Sequence, residues 1–119
     1  MRYPVFVCDD DQTQINDIVK MIGKAEEIIS DEHAVAFDVA SVTTFSEAKT
    51  YLKKNVYIGG IYLLDIELGQ EVGQNNGFDL AELIKSQDKR AQIIFITTHA
   101  DLSLISFERR LGPVDYIVK

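Results

Sequence analysis

The 119-residue sequence predicts one α/β domain, built on a doubly wound, five-stranded parallel sheet with the strand order 2-1-3-4-5. Short apolar, β-branched runs alternate along the chain with segments that repeat at the 3.6-residue period of a helix. The run Ile93–Ile96 is hydrophobic on both faces, which is typical of a central strand in a parallel sheet. Right-handed crossovers between such strands favour the doubly wound arrangement.

The predicted elements follow from apolar runs and from the turn and capping residues around them. The five strands are residues 3–8, 34–42, 57–64, 92–97 and 114–118. The four helices are Asp11–Ile29, a helix capped by Thr44 or Ser46 that ends near Lys54, Phe78–Ser86 and Asp101–Arg110. The polar stretch Glu67–Asn76 is a loop, and a long one for this kind of connection.

The first helix is predicted to bury one face, and Asp11 or Thr13 caps its start. The apolar positions of that face are Ile15, Ile18, Val19, Ile22, Ala25, Ile28 and Ile29. The sequence ends at Lys119, directly after the fifth strand, so we expect the helix that would cover this strand to be missing or to come from another chain. We therefore expect exposed apolar surface near the first helix and the fifth strand.

Composition excludes several classes of function. With 19 acidic against 12 basic residues and a net charge of −7, we expect no direct contact with nucleic acid or with an anionic membrane surface. The single cysteine, Cys8, excludes an internal disulfide and a cysteine-rich zinc site, and is predicted to be a small core residue. No signal-peptide pattern follows Met1 and no apolar stretch approaches ~20 residues, so a cytoplasmic location is expected.

Polar residues follow four of the predicted strands at the point where each strand ends. Asp9 and Asp10 follow the first strand, Asp65 the third, Thr97 closes the fourth and Lys119 follows the fifth. Ligands bind at the carboxyl ends of the strands in open parallel sheets, where the winding direction reverses. If the first and third strands are neighbours, the acids form one pocket there.

This set of residues suits phosphoryl transfer to an aspartate. Three carboxylates held close together repel one another, and a divalent cation removes that cost. Oxygen ligands suit Mg²⁺, which often shares a phosphoryl oxygen with its site. A carboxylate can act as the nucleophile, and Lys119 and a Thr97 hydroxyl can contact the phosphoryl oxygens.

With these motifs the whole chain resembles the receiver domain of bacterial two-component response regulators, which have a flavodoxin-like fold. The motifs are the acidic pair Asp9-Asp10, Leu63-Leu64-Asp65, Thr97, and Tyr116-Ile117-Val118-Lys119. The stretch Ile93–Lys119 looks most like regulators of the accessory-gene-regulator and competence type. Those regulators join a receiver to a DNA-binding domain of the LytTR type.

The resemblance implies a role for each matching residue at the acidic pocket. Asp65 would be the phosphoacceptor. Asp10 and Asp65 would bind Mg²⁺ directly, Asp9 would act mainly through water, and Glu67 would provide its backbone carbonyl. Lys119 would contact the phosphoryl group.

The resemblance also implies a switch and a set of partners. Thr97 would move toward the phosphoryl group and Tyr116 would follow from outward to inward. A sensor histidine kinase would donate the phosphoryl group, and a DNA-binding transcriptional output domain outside residues 1–119 would respond. The chain would be a signalling domain rather than a conventional enzyme, and we expect weak, altered or swapped association between two copies.

Two other functions are consistent with parts of the sequence. The run Asp9-Asp10-Asp11-Gln12-Thr13 fits the D-x-D-x-T pattern of haloacid-dehalogenase-type phosphatases, in which the first aspartate is the nucleophile. That family would require a later acidic pair at the end of the fourth strand, and the sequence has none there. A pseudo-receiver that only binds proteins is the other alternative, and it predicts no affinity for Mg²⁺.

Overall fold

The computed structural model describes residues 2–30, 34–66, 77–97 and 115–118, and at Thr97 and residues 115–118 it describes the backbone. Strands and helices alternate among the residues described up to Thr97, as predicted. They are β1 (Arg2–Cys8), α1 (Gln12–Ser30), β2 (Ala36–Val42), α2 (Phe45–Lys54), β3 (Ile61–Asp65), α3 (Gly77–Gln87), β4 (Gln92–Thr97) and β5 (Asp115–Val118). The predicted loop Glu67–Asn76 and the predicted helix Asp101–Arg110 lie outside the described residues.

The sheet has five parallel strands in the order β2-β1-β3-β4-β5, which confirms the predicted topology. Chain order and spatial order differ because the chain crosses from β2, at one edge, to β3, on the far side of β1. The reversal of winding therefore lies between β1 and β3. There Val5 pairs with Ile61, and Cys8 pairs with Leu64.

Two apolar clusters cover the two faces of the sheet. The face under α2 and α3 is the larger one, and it includes Phe6, Leu52, Tyr62, Leu64, Phe78, Leu80, Ile84 and Phe95. The face under α1 is built from Val5, Val7, Ile15, Ile18, Leu63 and Ile96. Strands β1, β3 and β4 contribute side chains to both clusters, which explains their continuous hydrophobic runs.

Helix α1 buries fewer apolar residues than its sequence pattern predicts. Ile15 and Ile18 are buried, but Val19, Ile28 and Ile29 are 39%, 73% and 37% exposed. Val19 follows Ile18 by one residue, which turns it about 100° away from the buried face. Ile28 and Ile29 lie in the last turn of α1, after Glu26, whose carboxylate accepts from the N–H of Phe37 near the start of β2 at 2.8 Å. Exposed apolar side chains are thus present on α1, whereas the side chains of residues 115–118 lie outside the described part, so the expectation for the fifth strand stays a prediction.

Strand β3 begins at Ile61, so the prediction of a start at Tyr57 is wrong. Gly59 has a positive φ of 74°, and the backbone N–H groups of Gly59 and Gly60 donate to the Asp88 carboxylate at 2.8 and 2.9 Å. This turn interrupts the extended backbone before Ile61, so Tyr57 and Ile58 do not belong to the strand although they are apolar.

Two helices begin at side chains that accept backbone hydrogen bonds. The Thr44 hydroxyl accepts from the N–H of Glu47 at 3.1 Å, and Ser46 lies inside α2, so Thr44 is the cap and the alternative at Ser46 is wrong. The Asp11 carboxylate accepts from the N–H of Thr13 at 2.9 Å, so Asp11 caps α1. Of the helices described, none has the length and apolar content to cross a bilayer.

Candidate metal centre

The register of β1 against β3 brings the predicted acids together. Cys8 and Leu64 are paired across the two strands, so the residues that follow them, Asp9 and Asp65, reach the same edge of the sheet. Strand β4 continues that edge, with Ile96 beside Asp65. The first and third strands are therefore adjacent, as predicted.

Three carboxylates form a compact cluster at this edge. One oxygen from each of Asp9, Asp10 and Asp65 lies within 4.8 Å of the other two. Asp9 and Asp65 are 1% and 7% exposed, whereas Asp10 is exposed to solvent. The cluster thus has a buried floor and an exposed rim, through which water and a ligand can enter.

The turn after β1 fixes the orientation of Asp9. The Asp9 N–H donates to the carbonyl of Val42 at 3.3 Å, which ties the end of β1 to the end of β2. An Asp9 carboxylate oxygen accepts from the N–H of Asp11 at 2.9 Å. This Asx-turn directs the Asp11 carboxylate into its capping role on α1, so Asp11 is not a member of the cluster.

The donor set fits a hard divalent cation. Three carboxylates at this spacing repel one another unless a cation or protons lie among them. Carboxylate oxygens are the ligands that Mg²⁺ and Ca²⁺ prefer, and Mg²⁺ keeps several waters, for which the exposed side at Asp10 gives room. Asp9, Asp10 and Asp65 would hold such an ion.

Cys8, directly before the cluster, does not belong to it. Its side chain is fully buried, and burial, followed by the negative charges of Asp9 and Asp65, raises the pKa of the Cys8 thiol to about 12. A thiol that stays protonated is neither a nucleophile nor a metal ligand. Its Sγ lies 3.9 Å from the carbonyl of Thr44 and packs in the core, as predicted.

The other predicted site residues are only partly covered by the structure. Thr97 is the last residue of β4, and Tyr116 lies in β5, which pairs with β4. The backbone of Thr97 is therefore at the same edge of the sheet as the acids. Lys119 and Glu67 lie outside the described residues.

One residue near the cluster was missed by sequence reasoning. Gly77, read as the end of a loop, is the first residue of α3 and donates its N–H to the carbonyl of Ile66 at 2.7 Å. It therefore lies beside the strand end that carries Asp65. The available signal was a glycine at the junction of a polar loop and a helix, where a close approach of two backbones calls for glycine.

Comparison with known proteins identifies the family. Residues 5–119 match the family described as the response regulator receiver domain. The accessory gene regulator protein A of Staphylococcus epidermidis is 30% identical over 115 residues, which cover 97% of this chain and 45% of that protein. The chain thus spans less than half the length of this relative.

Solved structures show the same fold. A CheY-like response regulator receiver domain protein from Methanospirillum hungatei superposes with a TM-score of 0.72 at 19% identity, covering 100% of this chain and 82% of that one. A response regulator protein from Burkholderia pseudomallei, with a phosphorylated aspartic acid, calcium ion and citrate, gives 0.71 at 15% identity, covering 98% and 59%.

The chain belongs to the response regulator receiver domain family, the signalling domains of two-component systems. This confirms the family predicted from the sequence. The predicted likeness to regulators of the accessory-gene-regulator type is confirmed as well.

Proposed function

We propose that this domain is phosphorylated on Asp65 by a sensor histidine kinase, with Mg²⁺ held at the cluster of Asp9, Asp10 and Asp65. The observation that carries the proposal is the approach of three carboxylate oxygens to within 4.8 Å across two neighbouring strands. The related Burkholderia protein, which contains a phosphorylated aspartic acid and a calcium ion, supports the same pairing of cation and acceptor here.

Asp65 fits the role of acceptor better than Asp9 does. Asp9 is 1% exposed, whereas Asp65, the last residue of β3, is 7% exposed. An Asp65 oxygen would attack the phosphorus of the phosphohistidine; the P–N bond would break and its electron pair would return to the imidazole. When bound, the cation would neutralise charge on the phosphoryl oxygens.

The remaining roles are part of the same proposal. Lys119 would contact the phosphoryl group, and Glu67 would add its backbone carbonyl to the cation site. Thr97, at the end of β4, would follow the phosphoryl group, and Tyr116 on the adjacent β5 would turn inward with it. The charge of the phosphoryl group would thereby change the conformation of the β4–β5 side of the domain.

We also propose that residues 1–119 act as the receiver of a longer transcriptional regulator. The chain matches 45% of the length of its staphylococcal relative, which leaves space in such a protein for a DNA-binding output domain of the LytTR type. The proposed partners are the kinase, that output domain and, weakly, a second copy of the chain. The cytoplasmic location expected from the sequence remains part of the proposal.

The structure favours this proposal over a phosphatase that uses Asp9. The D-x-D-x-T pattern would give the third acid, Asp11, a catalytic role, but its carboxylate accepts from the Thr13 N–H as a helix cap. Among the described residues, the acid that joins Asp9 and Asp10 comes from β3 instead.

The test is to incubate the protein with acetyl phosphate and Mg²⁺, trap the acyl phosphate by borohydride reduction, and map it by mass spectrometry. We expect the label on Asp65, and none in Asp65→Asn. Asp11→Asn, which keeps the helix cap, serves as the matched control and should be labelled normally. A label on Asp9 would favour the phosphatase, and no label together with no Mg²⁺ affinity would favour the pseudo-receiver.

A further inference from the structure

We infer that Gly77 is a positioning residue for Asp65: the lack of a side chain at Gly77 sets where the strand end that carries the phosphoacceptor lies. The inference rests on the proposed function of Asp65. It adds a residue that lies twelve positions further along the chain and brings no functional group of its own.

The contact is between two backbones. A Cβ at Gly77 would lie 2.2 Å from the carbonyl oxygen of Asp65, 2.8 Å from the Cα of Ile66 and 3.0 Å from the carbonyl carbon of Asp65. Backbone atoms cannot rotate away as the end of a flexible side chain can. The Gly77 N–H also donates to the Ile66 carbonyl at 2.7 Å, so α3 begins directly against the end of β3.

The requirement for glycine is steric rather than conformational. Among the glycines described, Gly59 has a positive φ and Gly77 does not. Alanine at position 77 therefore has an allowed backbone conformation, and its methyl group acts through the overlap with Asp65 and Ile66 alone. Removing that overlap takes a movement of about 1 Å, because non-bonded atoms do not approach much closer than 3 Å.

Helix α3 cannot easily supply this movement. Phe78 is buried and packs on Phe95 with ring centroids 4.9 Å apart, so the first turn is fixed in the core. At the other end of α3, Asp88 accepts from the N–H groups of Gly59 and Gly60 before β3. The pairing of β1 with β3 ends at Cys8 and Leu64, so a shift at Asp65 disturbs less of the sheet, and Asp65 would then leave its position opposite Asp9 and Asp10.

The experiment compares Gly77→Ala with two other glycine-to-alanine variants. In Gly23→Ala the new Cβ meets nothing within 4 Å, and in Gly60→Ala it lies 2.5 Å from the Tyr57 ring, at the opposite end of β3 from the acids. Calorimetric titration gives the Mg²⁺ affinity, and the acetyl phosphate reaction at saturating Mg²⁺ gives the rate on Asp65. Both values are expressed per folded molecule, with the folded fraction taken from circular dichroism.

We expect Gly77→Ala to lose about tenfold or more in both Mg²⁺ affinity and rate, because small displacements of reacting groups are costly. Gly60→Ala should lower stability and leave both values unchanged, and Gly23→Ala should change neither. If Gly77→Ala is poorly folded, trimethylamine N-oxide is added to all variants to restore the folded fraction.

Equal values per folded molecule in Gly77→Ala and Gly60→Ala would overturn the inference. A wild-type protein that neither binds Mg²⁺ nor accepts the phosphoryl group would instead contradict the proposed function. The two failures are therefore distinguishable.

Discussion

The buried carboxylates of this domain have two different roles. Among the described residues the buried charged side chains are Asp9, Asp65 and Asp88. Asp9 and Asp65 lie oxygen to oxygen with Asp10 at the sheet edge, an arrangement that suits a cation. The Asp88 carboxylate lies away from the cluster, at the turn before β3, and accepts from the N–H groups of Gly59, Gly60 and Arg90 and from the hydroxyl of Tyr62. The presence of neighbouring carboxylates thus distinguishes the proposed functional acids from the structural one.

We predict that Asp88 stabilises the fold in a pH-dependent way. Burial raises the pKa of the Asp88 carboxyl, but its four hydrogen-bond donors outweigh burial, and the pKa lies below its usual range. Its stabilising effect is therefore complete above about pH 4 and is lost as the pH falls through the lowered pKa. Asp88→Asn should cost about 1–3 kcal/mol at neutral pH in urea unfolding.

The control for this prediction is Asp17→Asn, which removes an exposed carboxylate from α1. It should change the free energy of unfolding by no more than about 0.5 kcal/mol. The difference between wild type and Asp88→Asn should shrink below about pH 4. A difference that stays constant across the acid range would contradict the proposed charged state of Asp88.

Cys8 is predicted to be unreactive in the native protein. Burial and the neighbouring acids raise the pKa of its thiol to about 12, so almost no thiolate is present at neutral pH. Mass spectrometry after treatment with iodoacetamide should show no modification of the native protein and full modification in denaturant. Rapid alkylation of the native protein would show that the site edge is more open than described.

At the scale of single elements, the start of α2 offers a direct test. The Thr44 hydroxyl accepts from the N–H of Glu47 and also donates to the Glu47 carboxylate at 3.1 Å. Thr44→Ala should cost about 1 kcal/mol in urea unfolding, because a helix-start N–H loses its partner. Thr50→Ala, inside the same helix, is the matched control and should be nearly neutral, since alanine favours helix interiors. Equal losses of unfolding free energy in the two variants would contradict the capping role of Thr44.

The elements that could be predicted are those specified by local sequence. Thr44 and Asp11 mark helix starts through their own side chains, and β4 is recognisable from its apolar run alone. The start of β3 could not be predicted in this way. It depends on Asp88, which is close in space and far along the chain, and no local pattern shows that its carboxylate binds the turn at Gly59.

In the candidate site, too, some residues could be predicted from local sequence and others depend on contacts between distant parts of the chain. Asp9, Asp10 and Asp65 could be predicted together because each acid follows an apolar run and parallel strands end at one edge of the sheet. The role of Gly77 could not, because a glycine between a polar loop and a helix signals a close approach of two backbones but does not show that the partner is Asp65. The exposure of Ile28 and Ile29 also escaped prediction, since periodicity shows which face is apolar but not how much of it is covered.

For the whole molecule, the acidic cluster links cation binding to stability. The chain carries a net charge of −7, and the cluster adds local repulsion among three carboxylates. We predict that Mg²⁺ at 100 times its dissociation constant raises the free energy of unfolding by about 2.7 kcal/mol. Thermal unfolding with and without a chelator measures this effect.

Two variants that each remove one negative charge distinguish Mg²⁺ binding at the cluster from screening of the net charge. Asp10→Asn should raise the melting temperature of the metal-free protein, because it relieves repulsion, and should abolish most of the response to Mg²⁺. Asp11→Asn removes the same charge one residue later, outside the cluster, and should keep the full response. Equal responses in the two variants would mean that Mg²⁺ acts by screening the net charge.

The most direct measurement of the central claim is a crystal structure of the protein grown with Mg²⁺. We predict an ion bound by one oxygen of Asp10 and one of Asp65, each at about 2.1 Å, with Asp9 beside it and waters completing an octahedron. An ion bound elsewhere, with the Asp10 and Asp65 carboxylates too far apart to share it, would contradict the account.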